Sequence, residues 1–498
     1  DPAIIKNFNL GSRFATSKYF YFDGGHTLRG DEQMPLDLAG IAQKVNEIKD
    51  EVEAIAVSGY FSPRNHSHEL GTSEVIHQLS NLPVVLGHQL SNQLDSVRRA
   101  TTATLNASLL GISQEFFVAM RSALDQRGIK APLMVMRGAG ALMNIATATQ
   151  RPIDTIHSGP AASAIGGKFL ADLKKALVID IGGTSTDLAI IGHGNVAILE
   201  EGTTVGEHET SIQSANVRSF AMGGDSLIIL ETGRSLKIGP SRVVPIAYLA
   251  STHPHILKEL QELALQSTET RVKSRQLEYW FLVREPKRNL SNPKSSKVIE
   301  LLRERPLSLQ TILEKMECKH IHHFDGEILL QEGYIGRSSL TPTDLLHISG
   351  EYAPWNTEAA QIMAGLAAGM AGWTVDQLER EVKNYIAENI VTEVIAFITG
   401  QTLQRAEGFF TPDNLGWWLY DEHIKGTHPY LGCKISLKMP IIGMGAPANI
   451  YLPRVAEMLG TNLVLPENYQ VANAIGAVAG NVIVSREARL TPQMDLIS

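Results

Sequence analysis

The sequence predicts an α/β protein with parallel strands in its sheet and a mainly helical insertion, and three observations predict it. Two short apolar runs, Ala54–Ser58 and Pro83–Leu86, flank a polar segment of helical character, a βαβ pattern that argues for a parallel sheet. Paired glycines and a Gly-x-Gly stand at the ends of other apolar runs, where the backbone must turn tightly. Residues 251–350 change to a basic, amphipathic character.

The first stretch carries Asp23-Gly-Gly-His26 and Arg29-Gly-Asp31. Leu38, Ile41, Val45 and Ile48 then recur at helical spacing. After the βαβ segment, Thr101–Leu110 and Ile112–Gln126 read as consecutive helices, with Gly128 as the stop of the second. Leu133–Met136 reads as a strand, followed by Arg137-Gly-Ala-Gly140. Ser158-Gly-Pro-Ala161 opens a small-residue helix in which Pro160 suits the first turn and Ser158 serves as N-cap or phosphate contact.

Ala176–Ile191 is the stretch around which the chain is organised: an apolar run to Asp180, a Gly-Gly turn with three hydroxyls, Asp187, and a second apolar run. It reads as strand, tight loop, strand. Glycines let backbone N–H groups approach an anion, and successive amides in a turn form an anion-binding nest. Two carboxylates at the rim suit a hydrated Mg²⁺, which binds through one or two carboxylates plus phosphate oxygens. A simple hairpin with a Gly-Gly turn explains the glycines and hydroxyls, but not the two flanking aspartates. A second Gly-Gly element, Phe220–Ser226, precedes the apolar run Leu227–Leu230 and strengthens the phosphate reading.

From Arg271 to Glu304 there are nine Lys/Arg against four Glu. Leu309, Ile312, Leu313 and Met316 mark an amphipathic helix, and with Gly333–Ile335 and Leu340–Asp344 the region reads as a winged-helix-like insertion. No aromatic interleaving supports a nucleic-acid patch there, so a solvated face is expected. Cys318-Lys-His-Ile-His-His323 and the pair His66 and His68 hold metal-ligand residue types at spacings that match no zinc pattern. Thr374 and Gln377 form a capping-box signal for a long helix to about Gly400, with Leu378, Val382, Tyr385, Ile386 and Ile390 on one face. Met439–Pro447 reads as a strand entering a Gly-x-Gly loop, with a helix after it bearing Ile450, Val455 and Leu459. Leu463–Leu465 is a short strand and Asn473–Ala479 a tightly packing helix.

A chain of 498 residues is too long for one ordinary core. We divide it into 1–150, an N-terminal α/β region; 151–250, a core with a phosphate loop; 251–350, the insertion; and 351–498, the rest of the core. A net charge of −8 gives no general attraction to nucleic acid or to an anionic membrane, and neither is an expected partner. Two cysteines, Cys318 and Cys433, exclude a disulfide framework and a four-cysteine zinc site, and they fit a reducing cytoplasm, the expected location. No run of eighteen apolar residues or signal-peptide pattern appears.

Three glycine elements stand on strand ends in one order: Asp180–Asp187, Gly223–Ser226 and Gly443–Pro447. That order resembles the ATPase superfamily of actin, sugar kinases and heat-shock chaperones, in which two ribonuclease-H-like domains hold ATP in the cleft between them. Ser158-Gly-Pro-Ala-Ala162, Asp180-Ile-Gly-Gly-Thr-Ser-Thr-Asp187, Gly443-Met-Gly-Ala-Pro447 and Asn473-Ala-Ile-Gly476 are similar to motifs of the hydantoinase/oxoprolinase A subunits within it. The resemblance runs from about Gly24 to about Val484. It is specific around Ser158–Asp187 and vague between Arg242 and Arg337. That family begins with a further Asp-x-Gly-Gly-Thr loop, and none stands before Asp180 here. The opening Gly24-Gly-His26, Arg29-Gly30 and Pro35-Leu-Asp37 resembles a point well inside its N-terminal domain, so preceding sequence is expected. Ile238–Pro245 resembles a shorter branch of the family rather than its larger members.

The resemblance implies actin-type ATPase domains and ATP-dependent opening of a cyclic amide, such as a hydantoin or 5-oxoproline, through a phosphorylated amide. It implies that Gly182, Gly183, Thr184, Ser185 and Thr186 contact phosphate, and that Asp180 and Asp187 hold Mg²⁺ or orient the attacking group. It puts Gly223 and Gly224 on the nucleotide side, Asp225 near the ribose, and Gly443, Gly445 and Ala446 against the adenosine. His26, Arg29 and Arg137 are candidates for the amide pocket. A B-type subunit or a second copy is an expected partner. Two other functions fit the same fold: a reactivating or chaperone-like factor, and a small-molecule kinase.

Overall fold

The computed structural model describes residues 14–231, 235–267, 272–286, 290–400 and 415–483. The chain divides into two compact units: Asp1–Lys175 with Ala189–Val217 and Ala472–Ser498, and Ala176–Leu188 with Arg218–Val471.

In the first unit, α1 (Leu38–Ile48) is capped by Asp37, whose carboxylate accepts from the Gly40 N–H at 2.9 Å. Ile41 and Val45 are its buried residues. β1 (Ile55–Val57) and β2 (Val84–Leu86) pair in parallel with Val57 opposite Leu86, and α2 (Ser67–Leu79) lies between them in sequence. A parallel pair needs such a crossover.

α3 (Ser96–Gln126) is one helix of 31 residues where the sequence pattern predicts two. Gly111 faces open space, and a glycine in a helix interior costs about 1 kcal/mol relative to alanine. That is too little to break a helix buried at Ala103, Asn106 and Phe117. The helix stops where Gly128 takes a left-handed backbone, φ +72°, and donates to the Asp125 carbonyl at 3.0 Å.

β3 (Met134–Met136) and β4 (Leu142–Asn144) form an antiparallel pair. α4 (Ser158–Ala171) is capped by His157 in a left-handed conformation, so Ser158 begins the helix instead of capping it. The small residues of α4 admit the helix Ala472–Ala479 backbone to backbone. A Cβ on Gly166 would stand 1.9 Å from the Ala472 carbonyl oxygen, and one on Gly476 would stand 1.8 Å from that of Ala162.

The second unit is built on β5 (Ala176–Ile181), β6 (Thr186–Gly192, which leaves the unit after Leu188) and β7 (Val217–Phe220). β8 (Ser226–Glu231) and β9 (Ser235–Arg242) pair antiparallel. Beyond an intervening region come α5 (Pro342–Ser349), α6 (Thr357–Ala371) and α7 (Val375–Thr399). β10 (Ile441–Met444), α8 (Ala448–Met458) and β11 (Leu463–Val464) complete it. The central sheet runs β7-β6-β5-β10-β11, and β10 is parallel to both β5 and β11. α7 starts on the Thr374/Gln377 capping box, ends at Gly400, and buries Leu378, Val382, Ile386 and Ile390.

The region between β9 and α5 is mainly helical. Helices His255–Gln266, Pro293–Glu304, Leu309–Lys315 and Gly326–Gln331 surround a small sheet ordered Val244–Pro245, Ile335–Ser339, Tyr279–Leu282 and Leu307–Ser308. Trp280 is fully buried among Val298, Ile312 and Phe324. Arg271 and residues 287–289 of the basic stretch lie outside the described residues. Among the described ones, Arg303 pairs with Glu285 at an exposed site.

Both cysteines are free thiols. Among the described residues no group of three or more His, Cys, Asp or Glu could hold a metal ion, and no helix is long and apolar enough to cross a membrane.

Candidate functional site

Every residue of β5 is buried except Asp180, which is half-buried. The strand ends at a turn closed by the Gly182 N–H donating to the Ser185 carbonyl at 2.9 Å. Gly183 and Thr184, at its tip, are exposed. Among the described residues, no hydrogen bond uses the amides of Gly183, Thr184 and Ser185 or the hydroxyls of Thr184 and Ser185. Three consecutive amides on a tight turn make a concavity suited to an anion.

Thr186 does different work. It is fully buried, and its hydroxyl donates to the Met222 carbonyl at 2.7 Å. That bond fastens the first glycine turn to the second. The Gly224 N–H donates to the Gly182 carbonyl at 3.0 Å, and the Asp225 N–H to the Gly183 carbonyl at 2.7 Å. A Cβ on Gly223 would lie 2.5 Å from the Gly182 carbonyl oxygen, so no other residue fits without displacing the turn. Gly224 is equally close to α5, because its Cβ would meet the Thr343 hydroxyl at 2.7 Å.

Parallel pairing of β10 with β5 brings the third element alongside, with Met444 opposite Asp180. Gly445 has φ +87°, and a Cβ there would lie 2.1 Å from the Ile181 carbonyl oxygen and 2.7 Å from Asp180 Oδ1. Gly443 is buried against Leu452 and Leu465, Ala446 is exposed, and Pro447 is buried. The turn at Asp180–Asp187, the Gly223–Asp225 element and the Gly443–Ala446 loop thus meet at one end of one sheet.

Asp187 carries the unusual electrostatics of the site. Burial pushes its carboxyl up to about 6, and the nearby Asp180 charge adds to the rise. The Ser219 hydroxyl opposes it by donating to Asp187 Oδ1. A carboxyl poised near neutrality beside an anion-binding turn suits proton transfer or cation binding. Two oxygen-donor carboxylates in mutual repulsion, beside unused amides and hydroxyls, fit a hydrated Mg²⁺ held together with a phosphate.

Asp225 is tied to Arg242 at 3.2 Å, with the Thr343 hydroxyl 3.4 Å from its Oδ1. Ser219, Arg242 and Thr343 carry no motif in the sequence. Only the fold brings them to the aspartates.

The three candidates for an amide pocket lie in the first unit. His26 is buried, hydrogen-bonded to Ser67 at 3.2 Å and packed on His68 with ring centroids 4.1 Å apart. Arg29 is exposed. Arg137 pairs with the buried Asp154 at 3.0 Å, a structural use of its charge.

Residues 99–246 match the family model described as Hydantoinase/oxoprolinase, and residues 8–80 match Hydantoinase/oxoprolinase N-terminal region. The caprolactamase subunit alpha of Pseudomonas jessenii is 25% identical over 216 residues, 42% of this chain and 31% of that protein. The acetophenone carboxylase gamma subunit of Aromatoleum aromaticum is 25% identical over 300 residues, 57% of this chain and 39% of that protein. The chain thus spans between about a third and two-fifths of the length of these relatives. Two solved structures share the fold. A nucleotide-free acetone carboxylase has a TM-score of 0.60 at 15% identity, covering 95% of this chain and 56% of that one. The ATP-dependent caprolactamase of Pseudomonas jessenii has a TM-score of 0.55 at 17% identity, covering 96% and 57%.

Proposed function

We propose that this chain, with its hydantoinase/oxoprolinase domains, opens a cyclic amide in a reaction driven by ATP. The observation that carries the reading is the meeting of three glycine elements around Asp180 and Asp187, with the amides of residues 183–185 left unused. We read the second unit as an actin-type, ribonuclease-H-like ATPase core and residues 251–350 as an insertion in it.

An amide carbon is a weak electrophile, and phosphorylating its oxygen supplies the missing leaving group. The γ-phosphoryl group passes to the amide oxygen and ADP leaves. Water adds to the activated carbon, the ring C–N bond breaks, and a second water releases the phosphate. Phosphoryl transfer is mostly positioning and charge neutralisation. The amides of Gly183, Thr184 and Ser185 would donate to phosphoryl oxygens, with the Thr184 and Ser185 hydroxyls beside them. Asp180 and Asp187 would hold Mg²⁺ through its waters. When bound, that ion neutralises charge on the transferring group. Asp187 would also orient the attacking water and take its proton. Gly223, Gly224 and Asp225 would line the nucleotide, and Gly443, Gly445 and Ala446 would leave room for the adenosine.

A B-type subunit or a second copy is proposed as partner, since several relatives are named as subunits. The free thiols agree with a cytoplasmic location, which belongs to the same proposal.

The test supplies ATP, Mg²⁺ and a panel of hydantoins and lactams and follows ring-opened product against ADP. Equal amounts of the two are expected. A stable phosphorylated product would make the protein a kinase. ATP turnover that responds only to a protein partner would make it a reactivating or chaperone-like factor.

A further inference from the structure

The first unit holds a second arrangement with chemistry in it. Glu69, on α2, has a fully buried side chain. Its Oε1 accepts the Gly59 N–H at 2.8 Å. Its Oε2 accepts the His88 N–H at 2.9 Å and the His88 ring at Nδ1, at 2.6 Å. Burial alone would raise the carboxyl, but the ring and backbone bonds from His88 and the Gly59 bond outweigh it and hold the group below its ordinary range. Glu69 is therefore a carboxylate, and the proton between the two sits on His88 Nδ1. In neutral His88 the lone pair is then on Nε2.

That nitrogen makes no hydrogen bond among the described residues, and the side chain keeps 16% of its surface exposed. Two histidines elsewhere in this chain, His68 and His347, use both ring nitrogens. His68 bonds the Gly25 N–H at 3.0 Å and Glu32 at 2.8 Å. His347 bonds the Thr343 carbonyl at 2.8 Å and the Trp355 N–H at 3.3 Å. His88 is held at one nitrogen and open at the other. Its ring plane is fixed by stacking on His66, centroids 4.7 Å apart and 17° from parallel.

The position in the fold agrees. Gly59 and His88 lie just beyond the carboxyl ends of β1 and β2, which are parallel, and ligands of α/β sheets bind at such ends. Buried Arg99 secures the Gly59 loop by donating to its carbonyl at 2.7 Å.

We propose that Glu69 and His88 form an acid–base dyad whose Nε2 takes the ring N–H proton of a small cyclic amide or imide. The ligand class rests on the function proposed above. The N–H bond breaks, its proton ends on Nε2, and the resulting imidazolium is stabilised by the Glu69 carboxylate. The electron pair stays on the ring nitrogen and delocalises onto the adjoining carbonyl oxygen. This is the orientation logic of carboxylate–histidine pairs in general.

Diethylpyrocarbonate labelling, read by peptide mass spectrometry, tests the dyad without turnover. His88 should label, and hydantoin or 5-oxoproline should protect it. Absence of labelling, or labelling that no cyclic amide reduces, overturns the proposal. In the ring-opening assay, His88→Gln keeps an N–H donor for Glu69 and should lower kcat by about 10²–10³-fold. The KM for ATP should hold, and added imidazole should restore part of the rate in His88→Gly. Wild-type turnover by His88→Gln would also overturn it. If the wild type opens no ring, the proposed function fails, and protection of His88 still supports the dyad.

Discussion

The Ser219 hydroxyl donates to the carboxylate of Asp187, from β7 to the adjoining strand β6. This bond favours the ionised form of Asp187, against burial and the Asp180 charge. Removing it should let the carboxyl rise further. In Ser219→Ala, the Asp187 titration followed by carboxyl ¹³C NMR should move above its wild-type value of about 6. An unchanged or lower value would show that this bond does not govern the group.

Asp187 also links stability to pH. Its folded carboxyl titrates near 6, above its ordinary 3.8, so the folded chain holds the proton more tightly. The stabilisation is complete below pH 3.8 and is lost as pH rises through 6. A shift of this size corresponds to about 3 kcal/mol at most. Asp187→Asn cannot ionise, so the wild type should lose stability relative to it between about pH 4 and pH 7. Denaturant titration of both proteins at the two pH values checks the difference, while ATP-dependent activity should fall in the variant.

The glycines are not equivalent. Gly445→Ala introduces a Cβ 2.1 Å from the Ile181 carbonyl at a left-handed backbone position. A loss on the order of 2 kcal/mol and weaker nucleotide binding are expected. Gly111→Ala, in open space within α3, should instead stabilise by about 0.5–1 kcal/mol. Thermal melts of the pair test both signs.

Asp344 is fully buried and accepts from the amides of Ile246, Ala247 and Thr341 and from the Thr341 hydroxyl. Burial pushes its carboxyl up to about 7 despite those donors. Asp344→Ala leaves three buried amides without their acceptor and should cost about 3 kcal/mol or more. Melting curves would show it, and an unchanged midpoint would contradict this account.

What the sequence disclosed was local. The strand–turn–strand at Asp180–Asp187 and the capping box at Thr374 depend on residues within a few positions of each other, and so does the buried face of α7. What it hid was assembled over distance. Glu69 and His88 are 19 positions apart, and Thr343 meets Asp225 across 118. No periodicity encodes such meetings. Thr186 reads as a phosphate ligand because hydroxyls beside glycines do, and only packing reveals that its hydroxyl is already used. The break predicted at Gly111 is absent because burial along α3 outweighs a local preference.

The backbone contact between Gly166 and the helix holding Gly476 joins residues 310 positions apart. At about 5–20 residues per second, a ribosome needs roughly 15 to 60 s to make the intervening chain. Throughout that interval α4 waits without the helix that seals it. The first unit is begun before the second and finished after it, so its small-residue seam is the surface that a nascent-chain chaperone would have to guard.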